Sequence, residues 1–277
     1  MGDEEAILEG KGRELTDILR GYGSVLVAFS GGVDSTFLTA AARRALPRDK
    51  VMAATADTPS LPRGELEFCR ALAELMDCPH RVVATEEFDD PCYLANPVDR
   101  CFYCKKELYS RLLPLARAGG YAVLANGFNL DDLSDDRPGQ VAAADAGVRS
   151  PLRDAGLRKA DIRRLSRAWD LPTWNRAESP CLSSRVAFGS ALSPEILRRV
   201  DEAEAGIRAL GFRVVRVRTD GKLARVEVAP EELPRLREGA GAAVLDIVRR
   251  AGFERVSIDP RGYRRGSGHR FPPAAKG

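Results

Sequence analysis

The stretch Ser24–Leu38, SVLVAFSGGVDSTFL, decides how this chain is read. It opens on an apolar run, Val25-Leu26-Val27-Ala28-Phe29, with the β-branched content of a buried parallel strand. The run stops at Ser30-Gly31-Gly32-Val33-Asp34-Ser35, and Phe37, Leu38, Ala41 and Ala45 then recur at helical spacing. A strand, a Gly-rich turn and a helix in that order can aim backbone N–H groups, and the positive end of the helix dipole, at an anion. Gly31 and Gly32 let the backbone come close because neither has a β-carbon. The hydroxyls of Ser30, Ser35 and Thr36 add short donors. A Walker loop places a lysine before its Ser/Thr. Here Asp34 stands there, and a carboxylate beside bound phosphate points to a bridging metal, most simply Mg²⁺.

Outward from this stretch, 277 residues are enough to bury a real core, as one or two domains. The net charge of +3 is too small to imply nucleic acid by itself, although the many arginines leave room for local anion sites. The N-terminus, MGDEEAILEG, is acidic and lacks the apolar core of a signal peptide, and no run approaches membrane-spanning length. The expected compartment is the cytoplasm, where six cysteines are metal ligands, catalytic groups or core packing rather than disulfides.

Residues 4–20 read as an amphipathic helix ended by Gly21 and Gly23. Further strands are expected at Val51–Ala56, Arg81–Ala84 and Tyr121–Ala125, and helices at Leu61–Met76, from about Phe102, at Val141–Ala146 and at Lys159–Trp169, with Asp154 as a cap upstream of the last. Val148–Leu152 reads as a short extended piece. Strands alternating with helices imply a parallel, doubly wound α/β sheet. The loops leaving the strands, Asp57-Thr58-Pro59-Ser60 and the Asn126–Gly139 segment, fall where such sheets take ligands. After Pro172 the pattern changes. Ser193 and Pro194 read as N-cap and first residue of a helix, Phe212–Arg218 and Leu223–Val228 as a hairpin across Asp220-Gly221, Pro230–Arg250 as a helix and Arg255–Ile258 as a last strand. The expected division is a domain over residues 1–175 and a smaller α+β domain over 176–277.

Three further features carry chemistry. Cys101-Phe102-Tyr103-Cys104 places two thiols at a helix start, as a metal pair, a redox dithiol or a chance pair. Cys181 lies in a non-periodic linker, Glu178-Ser179-Pro180-Cys181-Leu182-Ser183-Ser184-Arg185, where cationic neighbours such as Arg176 and Arg185 would favour a nucleophilic thiolate over a packing cysteine. Arg216-Val217-Arg218 puts two guanidiniums on one face of a strand, as a phosphate clamp or, on spacing alone, a solvated face.

SGGVDS resembles the PP-loop of the N-type ATP pyrophosphatases, which holds the β,γ-pyrophosphate while a substrate takes AMP. Together with RCFYCK, GFNLDDLSDDRPG, PCLSSR, RVR and ARVEV, in that order along nearly the whole chain, it is similar to the LarE family. These are the ATP-dependent sulfur transferases that build the nickel-pincer cofactor of lactate racemase. The resemblance implies adenylation of a carboxylate of pyridinium-3,5-biscarboxylic acid mononucleotide, then replacement of AMP by sulfur, in two rounds. In single-cysteine members the residue matching Cys181 is the sacrificial donor and ends as dehydroalanine. Cys101, Cys104 and Cys181 instead match the three-cysteine branch, whose thiolates hold a 4Fe-4S cluster with one iron open to an extra sulfide. The cysteine pattern favours the cluster.

The resemblance also suggests roles. Ser30, Gly31, Gly32, Asp34 and Ser35 would bind pyrophosphate and Mg²⁺; Asp57 and Gly127 would line the adenosine; Asp131, Asp132 and Arg137 would border the reacting centre. Arg216 and Arg218 would take the phosphate of the nucleotide substrate, Arg185 the same phosphate or the adenylate, and Glu227 is a further second-domain candidate. An external sulfur donor and a homo-oligomer are implied. The rivals are a PP-loop tRNA thiolase, an amidating synthetase and an ATP-sensing or metal-binding module. No basic stretch, zinc-ribbon array or RNA-binding module supports tRNA.

Overall fold

The computed structural model describes residues 2–134, 138–177 and 179–264. In chain order the first part runs α1 (Gly2–Tyr22), β1 (Val25–Ala28), α2 (Val33–Ala45), β2 (Val51–Asp57), α3 (Arg63–Leu75) and β3 (His80–Ala84). A single turn α4 (Pro91–Leu94), α5 (Arg100–Ala118), β4 (Val123–Ala125), α6 (Pro138–Asp145), a second single turn α7 (Pro151–Asp154) and α8 (Lys159–Ala168) follow. Then come α9 (Pro194–Ala209), β5 (Val215–Thr219), β6 (Leu223–Val228), the short α10 (Leu233–Arg235), α11 (Gly241–Arg250) and β7 (Arg255–Ile258). Contacts divide the chain into two units. One comprises Met1–Thr58, Arg63–Glu87 and Cys101–Ser179; the other comprises Pro59–Pro62, Phe88–Arg100 and Pro180–Gly277.

In the first unit the strand order is β3-β2-β1-β4 and every pairing is parallel, with Val25 beside Val51 on one side and Val123 on the other. Alternation along β1 divides the core. Val25 and Val27 pack with Leu15 and Leu19 of α1, Phe37 and Leu38 of α2, Cys69 and Leu72 of α3 and Ile162 of α8. Leu26 packs with Leu108, Tyr109 and Leu112 of α5 and Ala142 and Ala143 of α6. Helices therefore cover both faces, as the near-continuous apolar strand requires. The chain winds one way from β1 to β2 and β3, and β4 lies on the other side of β1. The order reverses between β1 and β4, which makes their C-terminal ends the crevice in which such sheets take ligands.

Two local expectations fail here. Of Val148–Leu152 only Arg149 is extended, in an isolated bridge to Ala125; Pro151, with its φ already helical, starts α7. Asp154 lies in α7 and does not cap α8, whose start is closed by Asp161 accepting from the Arg158 N–H at 3.0 Å.

In the second unit, β5 and β6 pair antiparallel through the Asp220-Gly221 turn, and β7 joins β6 in parallel. Asp220 Oδ1 accepts from the N–H groups of Lys222 and Leu223, and Gly221 adopts φ +97°. Ser193 caps α9 by accepting from Ile196 N–H, with Pro194 next. Leu197, Val200 and Ile207 of α9 and Val244 and Val248 of α11 are buried. The Pro230–Arg250 stretch is not one helix: it runs as a tight turn, α10, a wide turn at Leu236–Ala240 and α11. A β-carbon on Gly241 would meet the Leu236 carbonyl oxygen at 2.6 Å, so the break coincides with the Gly-rich middle.

The linker carrying Cys181 is stitched into this unit by the segments Pro59–Pro62 and Phe88–Arg100. Leu182 N–H donates to Ser60 O, Tyr93 Oη lies 2.8 Å from Ser183 Oγ, and buried Asn96 donates to the carbonyls of Ala187 and Ser190. Among the described residues no helix is long and apolar enough to cross a membrane.

Candidate functional site

In the first unit the loop Ser30–Ser35 leaves β1 and enters α2. Gly31 sits at φ +68°, and a β-carbon there would stand 2.9 Å from Cys69 Sγ, so both backbone and space demand glycine. Ser35 Oγ accepts from Ser30 N–H at 3.2 Å, lies 3.2 Å from Ser30 Oγ and donates to Gly32 O. No side chain caps α2 at Gly32, which leaves first-turn N–H groups to an incoming anion. Thr36 Oγ1 is buried and has no partner among the described residues. From the end of β4, Gly127 lies against this loop: a β-carbon on it would stand 3.0 Å from Ser35 N and 3.3 Å from Asp34 Cβ. Arg176 donates to Gly31 O at 3.2 Å and is itself held by both oxygens of Glu65 at 2.8 Å.

Asp34, in the first turn of α2, receives Lys159 Nζ on Oδ2 at 2.6 Å and Asn129 Nδ2 on Oδ1 at 3.4 Å. Burial pushes its carboxyl pKa up, and the opposing pull of Lys159 does not cancel that; Asp132 adds to the rise. Asp131 is engaged with the start of α8. Its Oδ2 accepts from Lys159 N–H at 2.8 Å and its Oδ1 from Arg158 Nη1 at 2.7 Å. Asp132 is buried and accepts from Asn129 N–H at 3.0 Å. Asp57 closes β2 and binds Arg63 at 2.8 Å. Arg137 lies outside the described residues.

Cys101 and Cys104 lie near the start of α5, one turn apart; Cys101 is exposed and Cys104 half-buried. The donors are chemically apt for iron, being accessible thiols near the positive end of a helix. Among the described residues no three or more His, Cys, Asp or Glu side chains are grouped to hold a metal ion. Cys69 and Cys78 are buried, and burial pushes both thiols up to about 11, which fits packing and not nucleophilic work.

In the second unit Cys181 is half-buried, and Arg185 holds the chain around it. Arg185 is fully buried; its Nη1 donates to the carbonyls of Pro180 at 2.5 Å and Cys181 at 3.2 Å, and its Nε and Nη2 grip Glu204 at 2.9 and 3.1 Å. Glu204 also accepts from Val217 N–H and from Arg208. Burial alone would raise its pKa, but the Arg185 and Arg208 guanidiniums and these bonds together hold it below the usual carboxylate range. Arg185 thus bonds Glu204, Ser184 and the backbone, which makes it a positioning residue for the Cys181 loop.

Arg216 and Arg218 share a face of β5, with Glu227 and Arg225 opposite them on β6. None of the four is on a solvated face. Glu227 bridges Arg218 Nε at 3.1 Å and Arg225 Nη2 at 3.0 Å, and Arg218 also donates to Ser184 O. Arg216 stacks over Tyr263 at 5.3 Å, and burial, then the nearby Arg185 charge, lowers its pKa. Asn129, Lys159, Glu204 and Arg225 were not signalled by the sequence. Asn129, Lys159 and Glu204 owe their places to partners from other elements and Arg225 to Glu227 on its own strand; Asn129 falls within GFNLDDLSDDRPG and Arg225 within ARVEV, but neither run singles them out.

No family model matches the chain. It is 35% identical over 265 residues to a pyridinium-3,5-bisthiocarboxylic acid mononucleotide synthase of Lactiplantibacillus plantarum, covering 94% of each chain. It is 40% identical over 261 residues to an uncharacterized protein of Synechocystis, covering 94% of this chain and 97% of that one. A tRNA(Ile)-lysidine synthase of Methylobacterium nodulans matches at 35% over 140 residues, or 48% of this chain and 40% of its own length.

Proposed function

The chain belongs to the LarE family of the PP-loop superfamily, and from that premise we propose that it converts the carboxylates of pyridinium-3,5-biscarboxylic acid mononucleotide into thiocarboxylates, forming AMP and pyrophosphate. The observation that carries the reading is a glycine-shaped anion loop with Asp34 in place of a Walker lysine, at the β1/β4 switch point, in a chain matched over 94% of its length by a relative named for that product.

In this reading the N–H groups of Ser30–Ser35 cradle the β,γ-pyrophosphate. Mg²⁺ on Asp34 would supply the charge neutralisation that two anionic reactants need. A substrate carboxylate oxygen attacks the α-phosphorus, pyrophosphate leaves, and an acyl adenylate remains. Arg216 and Arg218 hold the phosphate of the pyridinium nucleotide, with Glu227 and Arg225 fixing the Arg218 fork. Asp131 and Asp132 support the crevice by fixing the start of α8 and the Asn129 turn. A sulfur nucleophile then attacks the acyl carbon and AMP leaves.

The cysteine pattern supports sulfur delivery by a cluster: Cys101, Cys104 and Cys181 would hold a 4Fe-4S group, which would supply the sulfur nucleophile from an external donor. The second reading uses Cys181 itself, and Arg185 favours it by fixing the cysteine's backbone beside a free thiol. Cys181 Sγ forms a thioester, a base removes its Cα proton, the Cβ–S bond breaks, and thiocarboxylate and dehydroalanine result. The test is AMP formation from ATP with the biscarboxylate nucleotide, with tRNA and with neither. AMP formed only with the nucleotide supports the proposal; AMP formed only with tRNA overturns it.

A further inference from the structure

Phosphate loops of the Walker kind carry a lysine just before the Ser/Thr. This chain has Asp34 at that position, yet a lysine ammonium is still there, supplied by another element. Lys159 is the first residue of α8. Its backbone N–H is fixed to Asp131 Oδ2 at 2.8 Å, and its Nζ rests on Asp34 Oδ2 at 2.6 Å. The two side chains keep 27% and 20% of their surface exposed, so the pair borders solvent and is not locked in the core.

With Ser30–Ser35 as the pyrophosphate cradle proposed above, we propose that Lys159 is a phosphate-binding residue of that site, parked on Asp34 until nucleotide arrives. The ammonium is a compact point charge on a flexible four-carbon stem, able to swing from one anion to another without moving α8. The Asp131 bond runs through the backbone of Lys159, so the anchor stays while the side chain moves. In the nucleotide-free chain the ammonium competes with a divalent cation for Asp34. Once a phosphate takes the ammonium, Asp34 is released to the metal, and metal and nucleotide bind with mutual support.

A single substitution, Lys159→Met, separates this from a structural role because it moves two affinities in opposite directions. Mn²⁺ alone, followed by electron paramagnetic resonance, should bind more tightly to the variant by several-fold. Magnesium pyrophosphate and MgATP, followed by calorimetry, should bind more weakly by roughly 10- to 100-fold, as expected for loss of a charge-assisted bond. Lys159→Arg, which keeps the charge, should recover part of the pyrophosphate affinity and bind Mn²⁺ like the wild type; it also serves if the Met variant does not fold. Equal weakening of Mn²⁺ and pyrophosphate binding, or no change in either, overturns the proposal. If wild-type protein itself binds no magnesium pyrophosphate, the cradle reading of Ser30–Ser35 fails instead.

Discussion

Gly127, at the end of β4, approaches Ser35 so closely that a β-carbon on the glycine would stand 3.0 Å from the serine amide nitrogen. The same carbon would lie 3.3 Å from Asp34 Cβ, so a side chain there presses on the two residues at the head of α2. Gly127→Ala should leave the fold intact, costing about 1–3 kcal/mol as local overpacking does. Nucleotide-dependent pyrophosphate release should fall at least about 10-fold, since that strain lands on the anion-binding amides. Thermal melts and pyrophosphate release measured on one preparation check both halves; an unchanged rate contradicts the assignment.

Glu204 and Arg185 form a buried pair that also fixes the carbonyls flanking Cys181. Removing one partner strands the other, so Glu204→Gln should cost about 3–5 kcal/mol at neutral pH. The folded pKa of Glu204 is depressed. Its contribution is therefore full above the unfolded value of about 4.3 and is lost as pH falls through the lower folded value. Denaturant melts between neutral and acid pH should show a shallower acid dependence in the variant than in the wild type. Parallel curves would contradict the assignment.

The six cysteines should sort by burial when the native protein is alkylated at mildly alkaline pH and mapped by mass spectrometry. Cys92 and Cys101, both exposed, should react first. Cys69 and Cys78, buried and with thiols pushed up to about 11, should react last and only on unfolding. Labelling of Cys69 as fast as Cys92 would mean the packing beneath Gly31 is not as described.

Glu227 accepts from both Arg218 and Arg225. Glu227→Gln should weaken binding of the pyridinium nucleotide, read as KM, by roughly 10-fold through loss of one charge-assisted partner. The KM for ATP should stay unchanged. A rise in the ATP KM alone would place the Arg216/Arg218 face elsewhere in the reaction.

What the sequence made legible was local. The run Val25–Phe29 and the glycines after it mark strand, loop and helix because period and turn chemistry act over a few residues, and Ser193-Pro194 and Asp220-Gly221 mark their cap and hairpin for the same reason. Lys159 and Asp34 are 125 positions apart, and no local pattern pairs them. Arg185 read as a cation free to serve a thiol or an anion, because nothing nearby in sequence announces Glu204 as its partner. Nothing in the sequence of Phe88–Arg100 announces that Tyr93, Asn96 and Arg100 bond to the Cys181 linker, because those partners lie 83 to 91 positions away.

The most direct test is a single anaerobic turnover with ATP and pyridinium-3,5-biscarboxylic acid mononucleotide, analysed by mass spectrometry of both the nucleotide and the intact protein. AMP, pyrophosphate and a nucleotide in which oxygen has been exchanged for sulfur are expected. An unchanged protein mass goes with cluster delivery, and loss of the elements of H₂S from Cys181 with direct donation. AMP and pyrophosphate formed while the nucleotide carries no sulfur would contradict the proposed sulfur transfer.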